Sequence, residues 1–324
     1  MRDAGVVIEI LQPDEERAVG REDLLSARAD VLISLLTDPI DREVLQAAQP
    51  ALRGVANYAV GYNNIDIHAA TECGVPVSNT PGVLTEASAD CTWAMLLGVA
   101  RRIPQAHRYT SEGRFNLWGA NLFLGSDVGP GPDGRRKVLG VVGFGRIGRA
   151  VARRALGFEM DVLAFDPFQR EAIKADPQAE YVKLADLLAR ADFVCLHPPL
   201  TDETRHLIGE SELRAMKRGA FLINAARGPV VDETALVRAL REGWIAGAAL
   251  DVYEHEPQLA SGLAELDNVV LLPHILSASH DTRGRMAEIA ARNALCHLRG
   301  ERAPDVVNPE VYSTEVYSRR NPKP

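Results

Sequence analysis

The feature that most constrains this chain is one glycine pattern set between an apolar run and a helical one. Val138-Leu-Gly-Val-Val reads as a buried strand. It runs straight into Gly143-Phe144-Gly145-Arg146-Ile147-Gly148, and Arg149-Ala-Val-Ala continues as a helix. In such a loop the first glycine allows a tight turn. The second lets the backbone approach a pyrophosphate, and the third lets helix and strand pack closely. The helix start adds unpaired N–H groups and the positive end of the helix dipole. The next apolar run, Asp161-Val-Leu-Ala-Phe, ends in Asp166, 18 residues beyond Gly148. A carboxylate there accepts ribose hydroxyls and repels a 2′-phosphate. The pattern therefore points to a dinucleotide, NAD(H) in preference to NADP(H), with Arg170 near enough to soften the discrimination.

The surrounding chain alternates short β-branched runs with helical stretches. Strands are expected at Val6–Leu11, Val31–Leu36, Gly54–Tyr58, Val75–Ser78, Val138–Val142, Asp161–Phe165, Phe193–Leu196, Ala220–Asn224, Ala246–Leu250 and Val269–Leu271. Several are continuously apolar, as parallel strands buried on both faces are. Helical patterns lie between them, at Val151–Leu156, Leu184–Arg190 and Glu233–Glu242, and this alternation defines an α/β protein with parallel sheets. Two longer helices are expected at Thr85–Arg102 and Thr282–Arg299, and Gly125–Arg136 reads as a surface loop. Beyond Gly300 the chain is polar and carries four prolines, which suggests an extended tail ending in a solvated Arg319, Arg320 and Lys323.

Composition removes other classes. The net charge of −8 over 324 residues makes the chain a poor candidate for nucleic-acid or anionic-membrane binding, both of which need a basic face. No apolar run approaches the roughly 18 residues of a membrane span. The N-terminus turns acidic where a signal peptide would be apolar, so a cytoplasmic location is expected. Cys73, Cys91, Cys195 and Cys296 form no CxxC pair, and the histidines show no HxxxH or HExxH spacing, so no metal site is expected. The absence of GxSxG argues against a serine hydrolase.

Three further segments place a polar residue just after an apolar strand: Asn224-Ala225-Ala226-Arg227, Asp251-Val-Tyr-Glu-His-Glu256-Pro, and Leu272-Pro-His274 with Ser277 beyond. In a parallel sheet these ends share one edge, where ligands bind. Hydride addition to a ketone builds negative charge on oxygen and calls for a proton donor, which His274 supplies near neutral pH. A carboxylate such as Glu256 would orient the imidazole, and the planar fork of Arg227 suits a carboxylate or carbonyl.

Together with His197-Pro-Pro-Leu-Thr201, these motifs resemble the D-isomer-specific 2-hydroxyacid dehydrogenases from about Val31 to Tyr312. The segments Leu32–Asp38, Gly61–Asp66, Asn79–Asp90 and that around Trp118 look most like glyoxylate/hydroxypyruvate reductases. The resemblance implies two Rossmann-like domains, a flavodoxin-like substrate domain and an NAD-binding one, with parallel sheets and a cleft between them. The NAD-binding domain, 101–290, would be inserted into a substrate domain made of 1–100 and 291–324. Arg227, Glu256 and His274 would be catalytic, and Val60 and Gly61 would offer N–H groups to the substrate carboxylate. Asp251 would contact the nicotinamide, and His197, Pro199, Thr204, Ala225, Ala226 and Ser277 would line the cofactor. The family is typically dimeric, with Trp118 reaching the partner's site. Leu276 departs from the small residue usual two positions after the histidine, and Gly129–Arg136 is an insertion. The implied reaction is NAD(H)-dependent reduction of a small 2-keto acid to the D-2-hydroxy acid. Two alternatives stay open: an NAD(H)-sensing protein like the C-terminal-binding-protein corepressors, and a short phosphoglycerate dehydrogenase.

Overall fold

A computed structural model of the chain describes residues 5–11 and 19–320. In chain order its first elements are α1 Arg21–Ser26, β1 Val31–Ser34, α2 Arg42–Ala47, β2 Gly54–Asn57, α3 Ile67–Glu72, β3 Val77–Ser78, α4 Thr85–Ala100 and α5 Ile103–Ser111. Then come β4 Val138–Val142, α6 Arg146–Ala155, β5 Asp161–Phe165, α7 Arg170–Lys174, β6 Glu180–Tyr181, α8 Leu184–Arg190 and β7 Phe193–Leu196. The last are α9 Glu210–Ala215, β8 Phe221–Asn224, α10 Glu233–Arg241, β9 Gly247–Leu250, β10 Val269–Leu271, α11 His280–Leu298 and α12 Glu315–Arg320.

The chain divides into two compact units, Met1–Leu84 with Ser279–Pro324, and Thr85–Ala278. The divisions expected at 100/101 and 290/291 fall at the end of α4 and inside α11; the observed ones fall at the helix starts. The reason is packing. Trp93, Met95, Leu96 and Val99 of α4 are buried in a core of the second unit, where α4 packs on α6, β8 and β9, while α11 packs on β1 and β2 of the first.

In the first unit β2 lies between β1 and β3 in a parallel three-stranded sheet. Asp41 and Asp66 cap α2 and α3 by accepting the Val44 and Ala69 N–H groups. Gly54 is required by α11, because a Cβ there would lie 2.4 Å from the His297 ring. That ring is buried, bonded through Nε2 to Ser78 Oγ at 3.0 Å, and burial pushes its pKa down to about 4. Val6–Leu11 forms no strand: Val7 and Ile10 are exposed, and β-branched content without a neighbouring edge to pair with does not make one. The polar tail is not an extended arm either. Asn308 accepts the Val77 N–H and donates to the Val75 carbonyl, so the tail is fastened to the β3 edge. Arg320 is half-buried and donates to the Cys73 carbonyl at 2.7 Å; Lys323 lies outside the described residues.

The second unit holds seven parallel strands in the order β10-β9-β8-β7-β4-β5-β6. The order reverses at β4, and open α/β sheets bind ligands beyond the strand C-termini at such a point. Alternate residues along each strand feed two cores. Val142, Val194, Leu196 and Leu222 enter one; Leu139, Val141, Phe193, Cys195 and Ile223 enter the other. Strand β6 has only two residues and no apolar run to betray it. Gly125–Arg136 is a turn-built loop, as its glycines and prolines suggested.

Candidate active site

The glycine loop follows β4. Gly143 has φ +88°, and a Cβ there would lie 2.6 Å from the His197 carbonyl carbon after β7. A Cβ on Gly148 would lie 2.1 Å from the Gly143 oxygen, whereas nothing comes within 4 Å of one on Gly145. The loop is therefore closed behind and open in front. Backbone bonding of α6 begins with the Arg149 N–H to the Gly145 carbonyl, so the N–H groups of Arg146, Ile147 and Gly148 precede the helical ladder. Asp166 serves the loop directly: Oδ2 accepts the Phe144 N–H and Oδ1 the Phe168 N–H, both at 2.9 Å. Those two bonds fix the carboxylate at the strand end. These residues fit a dinucleotide: Gly145 leaves room for phosphates, and the Asp166 carboxylate suits ribose hydroxyls. His197 has both ring nitrogens buried without a hydrogen-bond partner among the described residues, and burial pushes its pKa down to about 4. Thr204 Oγ1 bonds the Pro199 carbonyl at 2.7 Å and so shapes the turn after β7.

Arg227, Glu256 and His274 come from the loops after β8, β9 and β10. Asn224, at the end of β8, accepts the Ala226 N–H and donates to the Arg227 carbonyl, which holds Ala225, Ala226 and Arg227 in a tight turn. Arg227 Nη1 donates to the Ala226 carbonyl, and the side chain makes no ion pair among the described residues. Burial lowers its pKa from the usual arginine value, partly offset by Glu256. Glu256 Oε1 accepts the Tyr253 N–H at 3.0 Å, and Oε2 accepts from His274 Nδ1 at 2.9 Å. Burial works against the Glu256 charge; the His274 hydrogen bond and charge, the Tyr253 N–H and Arg227 outweigh it and hold the carboxyl below its usual range.

His274 has φ +55°, a left-handed backbone that costs a non-glycine residue about 1 kcal/mol. Asp251 holds it there. The Asp251 carbonyl accepts the His274 N–H, and its carboxylate accepts the Ile275 N–H at 2.7 Å and the Leu276 N–H at 3.0 Å. Burial raises the Asp251 pKa against the effect of those two bonds. Leu276 packs into the core beside α4, and Ser277 closes the loop after it.

The structure brings Glu256 and His274 into contact, with Asp251 beneath them. Trp118 stands 75% exposed on the irregular segment after α5. Val60 and Gly61 belong to the first unit, where Asn79 and Asn57 side chains donate to their carbonyls. Sequence reasoning missed Asn224, Glu233, Glu254 and His206 as partners of these loops. The only signal was their position beside strand-end residues already singled out. Among the described residues no His, Cys, Asp and Glu cluster could hold a metal.

A parallel sheet with a phosphate loop at its reversal point, a fixed strand-end carboxylate, and an imidazole–carboxylate pair on neighbouring loops define a nicotinamide-dependent oxidoreductase. Residues 93–275 match the family model described as D-isomer specific 2-hydroxyacid dehydrogenase, NAD binding domain. The chain is 55% identical over 284 residues to a glyoxylate reductase of Korarchaeum cryptofilum, covering 87% of this chain and 83% of that one. A crystal structure of the TT0316 protein of Thermus thermophilus superposes with a TM-score of 0.82 at 42% identity, over 94% of each chain. An NADPH-dependent glyoxylate/hydroxypyruvate reductase of Sinorhizobium meliloti, crystallised with NADP and malonate, gives 0.77 at 32% identity over 89% of each chain. The chain belongs to the D-isomer specific 2-hydroxyacid dehydrogenase family, and it is an oxidoreductase that uses a nicotinamide cofactor.

Proposed function

We propose that this chain reduces a small 2-keto acid of the glyoxylate or hydroxypyruvate type to the D-2-hydroxy acid, with NADH as the preferred cofactor. The observation that carries the reading is the 2.9 Å contact between His274 Nδ1 and Glu256. With Nδ1 donating to the carboxylate, Nε2 is the nitrogen left to give a proton to the substrate oxygen. Through that bond Glu256 fixes the plane of the imidazole. Arg227 binds the substrate's carboxylate or polarises its carbonyl. Gly143–Gly148 would hold the pyrophosphate, Asp166 the adenosine ribose, and His197, Pro199, Thr204, Ala225, Ala226, Asp251 and Ser277 the rest of the dinucleotide. Bound NADH supplies the hydride.

The Thr85–Ala278 unit is read as the NAD-binding domain and the other unit as the substrate domain, whose Val60 and Gly61 N–H groups serve the substrate carboxylate. A cytoplasmic homodimer completes the reading; among the described residues no helix is long and apolar enough to cross a membrane. The test is NADH oxidation with a panel of 2-keto acids. His274→Ala should nearly abolish turnover while NADH still binds. Binding without turnover in the unmodified protein would overturn the reading in favour of a cofactor-sensing protein, and turnover confined to a phosphorylated substrate would favour a phosphoglycerate dehydrogenase.

A further inference from the structure

The turn that carries Glu256 is fastened from behind by three residues that the proposed reaction does not use. Glu233, the first residue of α10, is 3% exposed and accepts the Glu254 N–H through Oε1 at 2.8 Å. Glu254 Oε2 faces the Glu233 N–H at 3.5 Å in return, and Glu254 Oε1 pairs with His206 Nε2 at 2.6 Å. His206 itself donates its backbone N–H to the Pro229 carbonyl, inside the loop that begins with Arg227. Gly228 of that loop presses on the same turn, because a Cβ there would lie 1.8 Å from the Tyr253 oxygen. Tyr253 in turn donates its N–H to Glu256. One turn thus carries two carboxylates with opposite duties. Glu256 faces His274, while Glu254 ties the turn to α10 and to the Arg227 loop.

Burying Glu233 is unfavourable for its charge and raises its pKa, yet the hydrogen bonds it accepts come from the backbone at Glu254 and Ala260 and not from a cationic side chain. An apolar residue would pack at this helix start without that cost. We propose that Glu233, with His206, is a positioning residue: the two clamp Glu254 and so set the distance between Glu256 and His274. The inference rests on the catalytic reading of Glu256 and His274.

The test compares Glu233→Ala, Glu233→Gln and His206→Ala, each alone and combined with Glu256→Gln, reading kcat, KM for glyoxylate and NADH affinity. Glu233→Ala should lower kcat by about tenfold, with NADH affinity within about twofold. Glu233→Gln keeps an oxygen for the Glu254 N–H and should restore most of kcat. His206 is exposed enough that its removal should leave the fold intact, and it should cost about threefold in kcat even if Glu233→Ala does not fold. In the Glu256→Gln background both losses should shrink to less than about twofold, because the group they position is gone. Parental kcat in His206→Ala, or losses that stay full-sized in the Glu256→Gln background, would overturn the proposal. If instead Glu256→Gln and His274→Ala keep parental rates, it is the catalytic reading that fails.

Discussion

The Asp251 carbonyl accepts the His274 N–H at 2.9 Å, and the carboxylate of the same residue takes the next two N–H groups. A left-handed histidine is thereby built into the C-terminal edge of the sheet, with the backbone from His274 to Leu276 held by three bonds to one residue. An asparagine at 251 has one oxygen acceptor and an NH2 group that would meet an amide N–H. Asp251→Asn should therefore loosen the loop and lower kcat by about 10- to 100-fold. Steady-state kinetics of the purified variant check this; a loss below about twofold would count against the loop's importance.

Glu256 governs the pH response. Its carboxyl is held below the usual range, so it stays ionised in mild acid and contributes stability that is lost only as the pH falls below that range. Glu256→Gln removes that charge and the carboxylate that holds the His274 ring, so its stability should fall less than the parent's as the pH drops into the acid range, with a rate loss of about 10- to 100-fold at neutral pH. Urea unfolding at several pH values and steady-state kinetics on both proteins read this directly.

Cofactor choice should follow Asp166. Asp166→Ser removes the charge that repels a 2′-phosphate and should raise the NADPH/NADH ratio of kcat/KM by about tenfold or more. Because the Asp166 carboxylate also holds the Phe144 and Phe168 N–H groups, KM should rise for both cofactors. An unchanged ratio would place the discrimination elsewhere.

Two buried histidines report acid stability in the two units separately. His197 and His297 have pKa values near 4 against 6.5 for the free side chain. Between those values the unfolded chain binds protons that the folded chain does not, so stability falls as the pH drops from 6.5 towards 4. Each can contribute up to about 3 kcal/mol of that fall. Urea unfolding at several pH values should show a shallower loss for His297→Asn than for the parent.

The sheet of the second unit was legible because its strands are buried on both faces and therefore continuously apolar, as Val138–Val142 and Phe193–Leu196 are. The same rule misled at Val6–Leu11, where apolar residues have no edge to pair with. It also missed Glu180–Tyr181, which pairs without being apolar. The reactive side chains could be picked out because strand ends expose them. Their supports could not: Asn224, Glu233 and His206 act through carbonyls and N–H groups brought together only by the tertiary fold. Nor did the polar tail after Gly300 announce that one amide, Asn308, would fasten it to β3.

The helix α11 has a consequence for how the protein is made. Its residues come from the far end of the chain, yet its His297 fills the space above Gly54 in β2. The first unit therefore emerges from the ribosome lacking the helix that covers its sheet. The Thr85–Ala278 unit is continuous and fully synthesised before α11 exists. Assembly during translation accordingly runs out of sequence order: the middle of the chain can fold while the beginning waits for the end.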